Sequence, residues 1–189
     1  MIDPEGDYEG LEHALEIGEV KDVPDPEAVT EILRKSPMSV AVNMLGVETK
    51  DRPTYYSQLL PALQSLRAQT GRPHVVIVDE AHHVLPAAGA GERTSGVERG
   101  MVFVTVELHS LAACVVEAVD RLIAFGDAAD EVIASFCVAR GLAPPLMTRG
   151  VEKGEMLLFT AGDSTPRRLA VIPSVSGATA QVRRRGAWG

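Results

Sequence analysis

Residues 74–86 read HVVIVDEAHHVLP. Four consecutive aliphatic residues, Val75 to Val78, end at two acids, Asp79 and Glu80, and a pair of histidines follows. A continuous apolar run of this length, rich in β-branched residues, suits a strand covered on both faces, as in the interior of a parallel sheet. Carboxylates set where such a strand stops are held by a rigid support and presented at the sheet's carboxyl edge. A plainer reading is also open: acids at this point favour the N-terminus of a following helix.

The neighbouring segments extend that pattern. Asp25-Pro26 opens a helix through Lys35, with Asp25 as cap and Pro26 in the first turn. Residues 39–45 (SVAVNML) form a strand, and residues 52–70 a long helix whose Tyr56, Leu59, Leu60, Leu63 and Leu66 recur at helical spacing. Pro61 inside that helix predicts a kink or a restart, and Gly71 a stop. Residues 86–100 (PAAGAGERTSGVERG) read as a loop. Residues 101–106 (MVFVTV) read as another buried strand, 110–119 as a helix, 122–125 (LIAF) as a strand and 127–140 as a helix. Residues 156–160 and 169–172 read as a closing antiparallel hairpin. Strands alternating with helices imply crossover connections, hence an α/β fold with a mostly parallel sheet flanked by helices. The division expected is a domain over residues 1–175 and a tail over 176–189. Ligands of such sheets bind beyond the carboxyl ends of the strands. DPEGDY, DEAHH and TVELHS all follow strands at that end, so three polar clusters are expected on one rim.

Composition narrows the function classes. The 189 residues are 46% hydrophobic and 23% charged, a globular balance with enough chain for one core. The formal charge of −8 does not indicate a nucleic-acid surface, which requires clustered Lys and Arg. Lysine occurs only as Lys21, Lys35, Lys50 and Lys153. Cys114 and Cys137 sit in apolar, helix-like surroundings and read as free thiols of a reducing compartment. No stretch is long and apolar enough for a membrane span, so a soluble, cytoplasmic protein with no membrane partner is expected.

HVVIVDEAHH resembles the second Walker motif of P-loop ATPases, and MIDPEGDYEGL resembles the strand and turn that follow the P-loop helix in HerA/FtsK-type ATPases. MVFVTVELHSL falls where those proteins carry their sensor strand, and GEMLLFT fits their closing hairpin. The chain is similar to HerA-like modules that bacterial proteins join to a phosphatase domain of the haloacid dehalogenase type, over about residues 1–173. The resemblance implies a RecA/HerA-like core and, in a complete member, ATP and Mg²⁺ as cofactors. It implies that Asp79 holds Mg²⁺ through water, that Glu80 orients and deprotonates the attacking water, and that Asp7 and Glu107 lie beside the nucleotide. Ring formation in the family implies self-association.

One departure is decisive for activity. A phosphate cradle needs G-x-x-x-x-G-K-[ST], and no Gly-Lys pair occurs in this sequence. In the family that loop and its strand precede DPEGDY, and the strand lies between the sensor strand (101–106) and the next (122–125). Without it, two buried edges are left unpaired, and three outcomes are open: the two strands pair directly, a partner chain is needed, or the sequence is a truncated reading frame. Tight binding of ATP by this chain alone is therefore not expected. The alternative is a non-catalytic interaction module or a remnant of a larger protein. Relatives often place Gln or Asn after the sensor strand, whereas Glu107 stands here and donates nothing when ionised. A third reading, a metal-dependent hydrolase using Asp79, His82 and His83 with His109, lacks the H-E-x-x-H spacing of zinc sites. Asp3, Glu5 and Asp7 read as an acidic turn beside the ATPase site. Arg93, Arg99 and the run Arg183 to Arg185 read as solvated or as fingers reaching a neighbour.

Overall fold

The computed structural model describes residues 1–72, 74–88, 97, 99–146 and 150–172. The expected tail, Arg93 and Arg183 to Arg185 lie outside the described residues. Five strands form one parallel sheet: β1 (Ile2–Asp3), β2 (Ala14–Ile17), β3 (Ser39–Asn43), β4 (Val76–Val78) and β5 (Met101–Phe103), in the order β2-β3-β1-β4-β5. β6 (Arg121–Phe125), β7 (Glu155–Thr160) and β8 (Arg167–Ala170) form a second sheet, antiparallel throughout. The α/β class, the parallel sheet and the closing hairpin thus stand as the sequence predicts.

The helices follow from local chemistry. α1 (Pro26–Lys35) starts where the Asp25 side chain accepts from the Glu27 N–H at 2.9 Å, and it ends with Arg34 and Lys35 on its negative pole. α2 (Arg52–Thr70) runs through Pro61 as one element, so no restart occurs there. Gly71 ends it in the left-handed conformation, φ 64°, its N–H returning to Arg67 O at 2.9 Å. Tyr55, Tyr56, Leu59, Leu60, Leu63 and Leu66 form its buried stripe. α3 (Ala81–Val84) is one turn directly after Glu80, and α4 (Ala113–Ala118) and α5 (Ala129–Ala139) come later. Ile133, Phe136, Leu157 and Phe159 share one core with Val42, Val78 and Leu59, so the two sheets pack around common apolar material. No helix among the described residues is long and apolar enough to cross a membrane.

One strand was not expected, and one expectation needs correction. β2 (ALEI) carries helix-forming residues; here it pairs in parallel with residues 39–42 of β3. Strand pairing distant in sequence overrides local propensity. Residues 101–106 do not form a buried strand. β5 covers only Met101–Phe103 and pairs on one side, with β4, leaving Val102 and Val104 each 45% exposed and Val106 83% exposed. Among the described residues β6 likewise pairs only with β7, and its Ile123 and Phe125 are exposed. Of the outcomes open to these edges, direct pairing of β5 with β6 does not occur.

Candidate functional site

The three polar clusters meet at the carboxyl end of the parallel sheet. β1 enters between β3 and β4, so Asp3 is carried to the strand tip beside Asn43, and Asp79 follows the last residue of β4. Backbone bonds lock this edge: Asp79 N–H donates to Ile2 O at 3.0 Å, Met44 N–H to Asp3 O at 2.8 Å, and Ala81 N–H to Val104 O at 2.8 Å.

Asp3 is 1% exposed and organises the DPEGDY turn. Its Oδ1 accepts from Gly6 N–H at 2.8 Å and Asp7 N–H at 3.2 Å, and its Oδ2 from Tyr8 N–H at 3.1 Å. Burial pushes the Asp3 carboxyl up from the ordinary aspartate range, against the pull of those three N–H groups. Gly6 is required by the turn: φ is 69°, and a Cβ there would sit 2.5 Å from Leu45 Cδ1. From the helix side, buried Arg52 clamps the same turn, with Nη2 donating to Pro4 O at 2.9 Å and Nη1 to Glu5 Oε1 at 3.2 Å. His83 Nε2 stands 3.9 Å from the same Glu5 oxygen.

The purpose of that bracing is visible at Tyr8. Burial, and then the neighbouring Asp79 carboxylate, push its phenol up to about 12. Asp79 itself is 7% exposed. Glu80 is different. It stands at φ 39°, ψ 49°, a conformation that disfavours a residue with a Cβ and costs about 1–3 kcal/mol at such sites. Its Oε2 is buried without a hydrogen-bond partner; His82 Nδ1 lies 3.4 Å away and also meets Thr105 Oγ1 at 3.0 Å. His82 thus ties the turn after β4 to Thr105, in the segment after β5.

Glu107 extends the rim. Its N–H donates to Thr105 Oγ1 at 3.0 Å and its Oε2 accepts from Ser110 Oγ at 2.8 Å. The Ser110 bond, and then the charges of His82, His109 and His83, lower its pKa. Asp7 is exposed on the turn, close enough to Tyr8 for its charge to be felt there. Asp79, Tyr8, Asp3 and Asp7 are therefore one group, and Glu80, His82, Thr105 and Glu107 adjoin it. The sequence reading left out Tyr8, Thr105 and Arg52. For Arg52 a signal was present: it is a lone cation in register with Tyr55, Tyr56 and Leu59 on the apolar stripe.

The residues fit a hydrated divalent cation only in part. Asp79 lies at the strand tip, and Glu80 has an unsatisfied buried oxygen, but among the described residues no three His, Cys, Asp or Glu side chains gather as a direct ligand set. That finding goes against the hydrolase reading through Asp79, His82 and His83. No Gly-Lys cradle for a triphosphate is present in the sequence.

No known protein family and no curated protein matches the chain by sequence. The fold does match solved structures. The genome packaging NTPase B204 of Sulfolobus turreted icosahedral virus 2, in complex with AMPPCP, superposes with a TM-score of 0.54 at 14% identity, over 92% of this chain and 82% of that one. Its complex with ATP-gammaS gives 0.54 at 15% identity, over 91% and 82%. Its complex with sulfate gives 0.54 at 14% identity, over 91% and 80%. At this identity the likeness concerns the fold alone.

Proposed function

We propose that this chain is the acid-bearing part of a nucleoside triphosphatase of HerA/FtsK type, and that its phosphate cradle must come from polypeptide outside this sequence. The observation that carries the reading is the Asp79–Glu80 pair at the tip of a buried parallel strand, with Tyr8 beside Asp79 and Glu80 keeping an unsatisfied oxygen. In this reading Asp79 holds Mg²⁺ through water and Glu80 is the base. Asp7 and Glu107 flank the nucleotide, and Ser110 keeps Glu107 ionised. The metal would supply charge neutralisation at the phosphates; this chain supplies a fixed carboxylate, a proton acceptor and the braced turn behind them. Because nothing here grips a triphosphate, no hydrolytic step belongs to the chain by itself.

The place for the absent strand is between β5 and β6. Among the described residues each has one paired edge, and each carries exposed apolar side chains: Val102 within and Val104 after β5, Ile123 and Phe125 on β6. Unpaired strand edges are templates for added strands. A strand ending in G-x-x-x-x-G-K-[ST] there would bring its loop to the rim that holds Asp79. The same open edges favour a second reading, a non-catalytic interaction module that takes a partner's strand. Self-association into a ring belongs to the first reading.

Calorimetric titration distinguishes them. The chain alone should show no low-micromolar binding of Mg·ATP. A version carrying an added N-terminal strand with the G-x-x-x-x-G-K-[ST] loop should bind and hydrolyse ATP, and Glu80→Gln in that version should bind without turnover. Tight binding by the chain alone would overturn the assignment of a missing cradle. A folded, extended version that neither binds nor hydrolyses would leave the interaction module as the answer.

A further inference from the structure

Backbone bonds stitch the turn after β4 to the segment after β5. Val104 N–H donates to Val78 O at 2.9 Å, and Ala81 N–H donates to Val104 O at 2.8 Å. These two bonds set the register in which His82, on α3, arrives beside Thr105. His82 Nδ1 lies 3.0 Å from Thr105 Oγ1 and 3.4 Å from Glu80 Oε2. The His82 side chain is 10% exposed, and Glu80 Oε2 is buried without a hydrogen bond. Two oxygens therefore face one ring nitrogen, and of the two the threonine is the one engaged.

Chemistry selects the tautomer. An ionised carboxylate only accepts, whereas a hydroxyl both donates and accepts. A bare Nδ1 would turn its lone pair towards the buried Glu80 oxygen, with no proton between them. A proton on Nδ1 removes that conflict and puts a donor within reach of the oxygen. Thr105 Oγ1 accepts from Glu107 N–H at 3.0 Å, and its second lone pair takes the imidazole N–H. Glu107 is itself clasped, its Oε2 accepting from Ser110 Oγ at 2.8 Å. The His83 ring, 4.2 Å from that of His82 and tilted by 41°, braces the imidazole from the side. Past Val104 the segment has left β5, and Val106 is 83% exposed. Thr105 thus stands between a pinned residue and an exposed one.

We propose that Thr105 is a positioning residue for Glu80, acting through the Nδ1–H of His82. Donated to Thr105, that proton leaves Glu80 Oε2 open, the state a general base requires. Withdrawn from Thr105, the same N–H turns to Glu80 Oε2 and occupies it. The threonine hydroxyl decides whether the carboxylate is free or held. Glu107, whose N–H is bonded to that hydroxyl, links the decision to the occupant of the rim. No covalent bond is made or broken in the hand-over. The inference rests on the reading of Glu80 as the base, and it adds the residue that keeps that base available.

Nitrogen NMR of the full chain at about pH 8.5, above the ordinary histidine range, reads the tautomer directly. Loss of signals in His82→Gln assigns the ring. His82 should hold its proton on Nδ1, with Nε2 bare. In Thr105→Val the proton should stay on Nδ1 and its resonance should move downfield, because a carboxylate acceptor makes the shorter bond. Thr105→Ser should return it to the original position. Glu80→Gly alone should keep the Nδ1 proton on Thr105, whereas Glu80→Gly with Thr105→Val removes both acceptors and should pass the ring to the Nε2–H form. An Nε2–H ring in the original chain, an unmoved resonance in Thr105→Val, or a Thr105→Ser spectrum like that of Thr105→Val would overturn the proposal. The tautomer of the original chain needs no variant, so the proposal stays refutable if one of them fails to fold. Nucleotide enters none of these measurements. Failure of the base role would show separately, as a cradle-bearing version that binds ATP without hydrolysing it while these spectra are unchanged.

Discussion

Replacing Asp3 tests whether the rim is built as described. Its carboxylate accepts three backbone N–H groups, of which the Gly6 bond is fully buried and the Asp7 and Tyr8 bonds partly so. In Asp3→Ala the Gly6 N–H loses its partner out of reach of water, at about 1–3 kcal/mol. The other two N–H groups can be rehydrated, and each loses about 0.5–1.5 kcal/mol. Removing a desolvated carboxylate offsets part of this, which leaves a cost of about 2–4 kcal/mol. Stability of a domain is about 5–15 kcal/mol, so the variant should fold with a much reduced margin. Asp3→Asn keeps an oxygen for Gly6 and Asp7 but turns an NH₂ towards Tyr8 N–H, so its cost should be about half that of Ala. Urea denaturation followed by circular dichroism, with a slope of about 2 kcal/mol per molar, converts the Ala cost into a midpoint lowered by about 1–2 M.

The pH dependence adds a sign. Because burial raises the folded pKa of Asp3, the native protein holds this proton more tightly than the unfolded chain. Its contribution is fully present below the ordinary aspartate pKa and declines as pH rises through the folded value. The stability gap between the original protein and Asp3→Asn should therefore narrow as pH rises across that window. A midpoint shift under 0.3 M for Asp3→Ala, or a gap that widens with pH, would refute the reasoning.

Two further outcomes follow from the same rim. Glu80→Gly relieves the left-handed backbone strain and should stabilise the fold by about 1 kcal/mol, read as a raised urea midpoint, at the expense of the proposed base. In ultraviolet titration, Tyr8 should ionise only near pH 12, and Asp79→Asn should bring one phenol down towards 10 while Tyr55 and Tyr56, raised by burial, stay above it. If no phenol responds to that substitution, the Tyr8–Asp79 bond is not the cause.

Much of this protein is written in short-range chemistry. The run VVIV predicts an inner strand because only a position covered on both faces uses four aliphatics in succession. Asp25-Pro26 and Gly71 mark helix ends because capping and left-handed φ are local properties. The position of Asp79 and Glu80 at a strand tip follows from the same run. What tertiary structure decided is what those tips touch. Tyr8 meets Asp79, and Arg52 grips Pro4 and Glu5 across 48 and 47 residues, because β1 inserts between β3 and β4. β2 is a strand only because β3 offers it an edge. The open flanks of β5 and β6 are also properties of the assembled sheets. Hydrogen-bond partners on a sheet edge are chosen by which strand arrives beside it, and no local pattern of residues encodes that arrival.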